Sequence, residues 1–234
     1  MTEKQNTPPS IFDQAFLTGV PEVTELLIIR HGQQVTIADG TLGEAFNPPL
    51  SEHGQQQARL LGERLSTLHF DAIITSPLSR ARETAEAVAR HHRMEPEVVD
   101  DLREVELFRD IPRDRTVKDF LGRALRNAVR ERMLQERKWD VYPDSESSVE
   151  FRKRTVNAIE AIIARNLGER VAIVCHGGVI NSYMAHIIGA PYDMFFRPGH
   201  TSVNIAAAGG GRRVLRTLND MHHLYTGEGD FASY

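Results

Sequence analysis

Apolar residues in this chain fall into short unbroken runs and longer stretches with helical spacing. Glu25 to Arg30 (ELLIIR) is an apolar run that stops at His31-Gly32. Asp71 to Thr75 (DAIIT) is a second, and Val171 to Val174 (VAIV) runs into Cys175-His176-Gly177-Gly178. Such runs read as strands buried on both faces. Between them, apolar residues recur every three or four positions. Ala58, Leu61 and Leu65 follow the helix-cap candidate Ser51, and Leu78, Ala81, Ala85, Val88 and Ala89 follow Ser76-Pro77. Phe151, Val156, Ile159, Ile162 and Ile163 follow Ser147 and Ser148, either of which can cap. These patterns predict helices, with proline in the first turn of the second, and one more helix runs to about Ile188. Glu97 to Val99 predicts a short strand, and Ser202 to Ala207 with Val214 to Leu218 a closing pair around Gly209-Gly210-Gly211. Strands alternating with helices predict an α/β fold, a three-layer α/β/α sandwich on a mostly parallel central sheet.

Gln33 to Pro49, carrying Gly40, Gly43, Pro48 and Pro49, reads as a loop. Residues 1–22 are polar and punctuated by proline, the pattern of a flexible arm. Residues 23–226 read as a single domain with a helical, cap-like insertion at about 108–147, and 227–234 as a tail. Within the insertion, Arg113 to Lys138 predicts a charged amphipathic helix with a narrow stripe of Phe120, Leu121, Leu125, Val129 and Leu134. That stripe suits a cap or a homodimer contact equally well.

Composition narrows the function classes. The 234 residues carry 28 Lys+Arg against 32 Asp+Glu, a net charge of −4, which disfavours nucleic acid as a partner. One cysteine, Cys175, excludes a disulfide framework and a Cys-rich zinc site. No apolar run approaches the ~18 residues of a membrane span, and the N-terminus lacks a signal-peptide pattern. The expectation is a soluble, cytoplasmic protein. Ten histidines are the compositional oddity.

Two of them sit alike. His31 and His176 each lie just past a buried strand and are followed by glycine, where ligands of open α/β sheets bind. Either alone is more often a turn or core histidine; two in matching contexts shift the balance towards a site, with two structural histidines as the alternative. Arg80 lies near the start of the helix that follows the DAIIT strand, and its planar fork suits phosphate. Arg30, His31, Arg80 and His176 together would form a cationic pocket in an acidic protein, the footprint of a phosphate site.

The Arg30-His31-Gly32 triplet, Ser76-Pro77-Leu78-x-Arg80-Ala81 and Cys175-His176-Gly177-Gly178 resemble the histidine phosphatase superfamily, with its phosphoglycerate-mutase-like fold. Pro49 to Gly54 with Gln57-Ala58, and Asp101-Leu102-Arg103-Glu104, add to the resemblance, which spans roughly residues 25 to 220. It implies a metal-independent phosphatase, a histidine acid-type phosphoric monoester hydrolase without cofactor, acting on a small phosphorylated metabolite or other phosphomonoester. His31 would be the nucleophile, its second ring nitrogen donating to a backbone carbonyl. Arg30, Arg80, His176 and Gly177 would bind the phosphoryl group, and Glu104 would be the general acid and base. Glu106 is a rival two residues away.

Several features depart from the family pattern. Glu104 leads into Val105-Glu106-Leu107-Phe108-Arg109 rather than a glycine and a Gly-x-Trp-Glu-Gly segment, and the only tryptophan is Trp139. The family's loop asparagine has no counterpart in Gln33 to Gly40, and Asn47 is distant. The mutase acid motif is not matched, which favours a phosphatase over a phosphoglycerate-type mutase. A catalytically idle phosphate- or partner-binding domain is the non-enzyme alternative. His91-His92 suit a helix C-terminus. His222-His223 lack helical metal-pair spacing. His53, His69, His186 and His200 read as structural, with His200 beside a family-like segment.

Overall fold

The computed structural model describes residues 9–37, 40–116, 123–226 and 229–234. Strands β1 (Thr24–Arg30), β2 (Ala72–Thr75), β3 (Glu97–Val98) and β4 (Arg170–Cys175) run parallel. Strands β5 (Val203–Gly209) and β6 (Arg212–Asp220) join antiparallel, giving the order β3-β2-β4-β1-β5-β6. The described helices are α1 (Ile11–Phe16), α2 (Leu42–Phe46), α3 (Glu52–Leu65), α4 (Ser79–Ala89), α5 (Arg123–Glu136), α6 (Ser148–Arg165) and α7 (Gly177–Ile188). A small hairpin, β7 (Tyr225–Thr226) with β8 (Gly229–Asp230), precedes the C-terminus.

The apolar runs are continuous because both sheet faces are covered. Leu26, Ile28 and Ile173 point to one side, where they pack with Phe151, Ile159 and Ile162 of α6 and Val179 and Ile180 of α7. Leu27, Ile29, Ala172 and Val174 point to the other, against Leu61 and Leu65 of α3 and Ala81, Ala85 and Val88 of α4. This is the three-layer sandwich. Truncating one of these fully buried residues, such as Ile173→Ala, costs about 2–5 kcal/mol through lost transfer energy and the cavity left behind.

Helix boundaries follow capping chemistry. Ser51 accepts the Gly54 N–H at the start of α3, and Ser147 forms a reciprocal box with Glu150 at the start of α6. Helix α4 begins at Ser79, not at Pro77: Leu78 is extended, and the Ser79 N–H goes to Asn47 Oδ1 at 2.7 Å. Asn47 is therefore a helix cap. The stretch read as a loop at Gln33 to Pro49 contains α2, which a Thr41–Glu44 capping box stabilises.

The described part of the expected flexible arm is docked. Ser10 and Asp13 form a capping box on α1, Leu17 is buried, and Arg212 and Arg216 donate to the Gln14 and Leu17 carbonyls at 3.0 and 2.8 Å. The insertion helix is shorter than Arg113 to Lys138, since Arg113 to Thr116 are not helical and α5 ends at Glu136. Phe120 and Leu121 lie outside the described residues. Of the remaining stripe, Val129 is buried while Leu125 and Leu134 are exposed. No helix among the described residues is long and apolar enough to cross a membrane.

Candidate active site

Register brings the site together. Arg30 pairs with Cys175 and Thr75 with Val174, so β1, β2 and β4 end level with one another. The His31 N–H donates to the Cys175 carbonyl at 3.0 Å, and the Ser76 N–H to the Val174 carbonyl at 3.0 Å. His31, Ser76 and His176 are thus the residues that leave three adjacent strands at their carboxyl ends. The rings of His31 and His176 lie 5.1 Å apart, both buried.

Each ring is fixed by a different neighbour. Nδ1 of His31 lies 2.7 Å from the Gly32 carbonyl, which can only accept, so the proton sits on Nδ1. Nε2 is left as a lone pair, and Arg80 Nε donates to it at 3.1 Å. Burial, with Arg80, His176 and Arg30 close by, holds His31 well below the ordinary imidazole range. Nε2 of His176 meets the Ser76 hydroxyl at 2.7 Å, and burial with Arg80 and Arg30 also keeps this ring neutral. Its Nδ1 is buried without a hydrogen-bond partner among the described residues, as is Nε of Arg30, whose Nη1 donates to the Pro198 carbonyl at 2.5 Å. Burial lowers Arg30 to about 10, still protonated at neutral pH. Arg80 is also buried and lowered by burial, and its Nη1 reaches the Phe46 carbonyl at 3.3 Å.

Two close backbone approaches shape this cradle. A Cβ on Gly32 would stand 2.6 Å from the Gly54 carbonyl oxygen, so the chain leaving His31 slides against the start of α3 only as glycine. The Gly32 N–H donates to Thr84 Oγ1 at 3.0 Å, and that hydroxyl donates on to the Arg80 carbonyl at 2.7 Å. A Cβ on Gly178 would stand 2.3 Å from Glu104 Oε1. That contact identifies which carboxylate reaches the site.

Glu104 Oε2 accepts the Gly178 N–H at 3.1 Å and Oε1 its neighbour's, Val105 N, at 3.0 Å. The carboxylate sits against the N-terminus of α7, where the helix dipole favours negative charge. Glu106 is turned away: Arg113 Nη2 donates to it at 2.8 Å, and Arg109 lies 3.4 Å off. The chain leading into Glu104 is braced from α6. Arg154 pairs with buried Glu146 at 2.6 Å and donates to the carbonyls of Asp101 and Arg103 at 2.7 and 3.1 Å. Burial pushes Glu146 up, but the Arg154 bonds and charge more than offset it and hold the carboxyl below its usual range.

The structure therefore gathers Arg30, His31, Arg80, Glu104 and His176, with Gly177 opening α7 beside them, and leaves Glu106 in a separate ion pair. Cys175 is buried, and burial with Glu104 nearby raises its thiol far above neutrality, so it is an inert core group. The His200 ring lies 5.9 Å from that of His31, tilted by 51°, and is pushed down to about 3, chiefly by burial and then by Arg30. Its Nδ1 meets Ser233 Oγ at 2.9 Å, and its N–H the Ser233 carbonyl at 2.8 Å. Gln57, which accepts the Gln33 N–H, also donates to Phe231 and Ser233. The described part of the expected tail thus belongs to the support behind His31. Sequence reasoning gave no role to Ser233, Thr84 or the Arg154–Glu146 brace, because each acts across a long stretch of chain with no local signature. Ser76 was in view, though only as part of a motif. Among the described residues no three His, Cys, Asp or Glu side chains gather to hold a metal ion.

Comparison with known proteins agrees with this geometry. The profile of the histidine phosphatase superfamily (branch 1) matches residues 26–221. The chain is 27% identical over 213 residues to a metal-independent phosphoserine phosphatase of Arabidopsis thaliana, covering 87% of this chain and 84% of that one. The solved structure of YhfR from Bacillus stearothermophilus superposes with a TM-score of 0.70 at 30% identity, covering 86% and 98% of the two chains. A phosphoglycerate mutase from Bacillus anthracis shares the fold, with a TM-score of 0.69 at 22% identity over 87% and 96%. A match that runs through both histidine-bearing strand ends and every group between them leaves no doubt about kinship, and the chain belongs to the histidine phosphatase superfamily, branch 1.

Proposed function

We propose that this phosphatase hydrolyses small phosphomonoesters with His31 as nucleophile, Glu104 as acid and base, and Arg30, Arg80, His176 and Gly177 as the phosphoryl cradle. One observation carries the reading: the Gly32 carbonyl holds the His31 proton on Nδ1, so the lone pair of Nε2 faces the cationic pocket. Two buried polar atoms without a partner among the described residues, Nε of Arg30 and Nδ1 of His176, support it. Such atoms are costly unless a ligand supplies the partner, and phosphoryl oxygens do so. Ser76 Oγ accepts the Leu78 N–H at 3.3 Å. Its own proton then goes to His176 Nε2, which leaves His176 Nδ1 as a donor.

The chemistry follows from these positions. A phosphate entering the cradle gives Arg80 a charged acceptor in place of His31 Nε2, freeing the lone pair. Nε2 attacks phosphorus, the bond from phosphorus to the alcohol oxygen breaks, and Glu104 gives that oxygen its proton. Water then attacks the phosphohistidine while the Glu104 carboxylate takes a proton, the phosphorus–nitrogen bond breaks, and Nε2 is restored. Positive charge from Arg30 and Arg80 offsets charge on the equatorial oxygens in both halves.

The test is His31→Ala. It abolishes hydrolysis of an aryl phosphate and the formation of a trappable phosphohistidine, while a chelator leaves the wild-type rate unchanged. Wild-type turnover by the variant overturns the assignment. Transfer to a phosphoglycerate acceptor faster than to water would instead support the mutase. We also read the chain as one domain over 23–226, with the described residues before and after it packed onto that domain, and place it in the cytoplasm.

A further inference from the structure

We propose that the alcohol released by this enzyme is apolar, an alkyl or aryl group seated in a cavity that opens beside Glu104. The inference rests on the phosphatase reading and adds its substrate class. A cavity of about 240 Å³ has both Arg80 and Glu104 in its wall. The acid must touch the leaving oxygen, so the carbon attached to that oxygen enters the space Glu104 borders.

The rest of that wall is oily. Leu42, Phe46, Leu78, Val105, Leu107 and Phe108 line it. Leu42 and Phe108 are buried against Leu107, Ile111 and Tyr142, so this side is a packed surface. Its composition stems from the segment after Glu104 that departs from the family pattern: Val105, Leu107 and Phe108 all come from it.

The charged groups of the wall are already engaged. Arg80 donates to His31 and to the Phe46 carbonyl. Arg113 lies over the Phe46 ring, 4.7 Å from its centroid, and donates to Glu106 at 2.8 Å. Glu104 is the only carboxylate among the described residues that line the cavity, and it is the group that handles the proton. An alcohol bearing an ammonium and a carboxylate would have to strip these pairs or bury charge without a partner, which is costly. An apolar alcohol has only to leave water.

The experiment is a chain-length series on the whole protein: methyl to hexyl phosphate, with phosphoserine and glycerol phosphate as polar comparators. Burying successive methylenes should raise kcat/KM by about four-fold each until the cavity is filled, and butyl phosphate should exceed phosphoserine at least ten-fold. Leu107→Asn, on the cavity wall, should flatten the slope; a slope is a ratio within one preparation and is independent of how much variant folds. Activity with no chain-length slope, or a preference for phosphoserine, overturns the inference and leaves the phosphatase standing. A slope that Leu107→Asn does not change also overturns it, since the apolar group then binds elsewhere. No turnover of any phosphomonoester overturns the phosphatase reading and this one together.

Discussion

Gly178→Ala tests the placement of the acid directly. The new methyl carbon would stand 2.3 Å from Glu104 Oε1 and 3.1 Å from both Phe151 Cε1 and Trp139 Cζ2. A carbon and an oxygen need more than 3 Å, and the two aromatic rings close the other sides. The carboxylate end, the only flexible neighbour, must therefore move by nearly an ångström. It gives up its bond to the Gly178 N–H, now 3.1 Å, and leaves the position from which it serves the leaving group. A displacement of that size costs about a hundred-fold in rate. Stability should hardly change, because the shifted atoms end a flexible side chain and alanine in the first turn of α7 favours the helix by about 0.5–1 kcal/mol over glycine. The leaving group supplies the discriminating measurement. An alkyl phosphate needs its oxygen protonated as it departs and should lose most of the hundred-fold. A nitrophenyl phosphate departs as a stable anion and should lose far less in phosphorylation of His31, read as burst amplitude and rate in rapid-quench experiments. Equal losses on both substrates, or a full rate on alkyl phosphates, would refute the placement of Glu104 as acid. A large drop in the urea midpoint would show that the Phe151 and Trp139 rings, and not chiefly the carboxylate, take up the clash.

The same logic separates the two neighbouring carboxylates: Glu104→Gln should lower kcat on alkyl phosphates by about 10²–10⁴, whereas Glu106→Gln, whose partners are Arg113 and Arg109, should stay within a few-fold; the reverse order would reassign the acid. Arg154→Ala takes from buried Glu146 its closest partner and leaves it Arg109 at 3.6 Å; it should cost about 1–3 kcal/mol, read from urea denaturation, and should lower kcat by loosening the Glu104 segment, and a change below about 0.5 kcal/mol would show the brace to be idle. Stability should also fall with acid. His31, His176, His200 and His223 are all held below their ordinary value, His200 at about 3 and His223 at about 4, chiefly by burial. Below the unfolded value near 6.5 the unfolded chain takes protons that the folded chain refuses, so folding weakens by about 1.4 kcal/mol per unit for each such histidine. From pH 7 to pH 5 that is about 2 kcal/mol per fully buried ring, less for His200 and His223. A urea midpoint that is flat between pH 7 and pH 5 would contradict it.

What the sequence made legible was local. The strand and helix order followed from apolar period, and Ser51 and Ser147 marked helix starts because a cap acts within three residues. His31 and His176 could be singled out because the same offset from a strand end recurs twice, even though nothing local says that the two strands are neighbours. Docking of residues 9–22 was missed because what holds them, Arg212 and Arg216, lies some two hundred residues away. The choice between Glu104 and Glu106 was undecidable for the same reason. Their spacing puts them on one short extended stretch, and the direction each takes is set by Gly178, Arg113 and Arg154, none of which is near in sequence.

That division explains why the cradle and the mouth of this site read so differently. His31, Ser76 and His176 are fixed by the register of three strands, and register is over-determined by two packed sheet faces, since a one-residue slip of β1 would turn Leu27 and Ile29 out of one core and Leu26 and Ile28 out of the other. A catalytic group placed there inherits the full stability of the core. The cavity beside Glu104 is built instead from α2 and the stretch after Glu104, which are held by a capping box within α2, an Arg–Glu pair and a small apolar cluster. Exchanging Leu107 or Phe46 there disturbs none of the strand pairs that position the nucleophile. Phosphate chemistry and the choice of alcohol are therefore held by separate sets of contacts, and the second set can change while the first stays fixed.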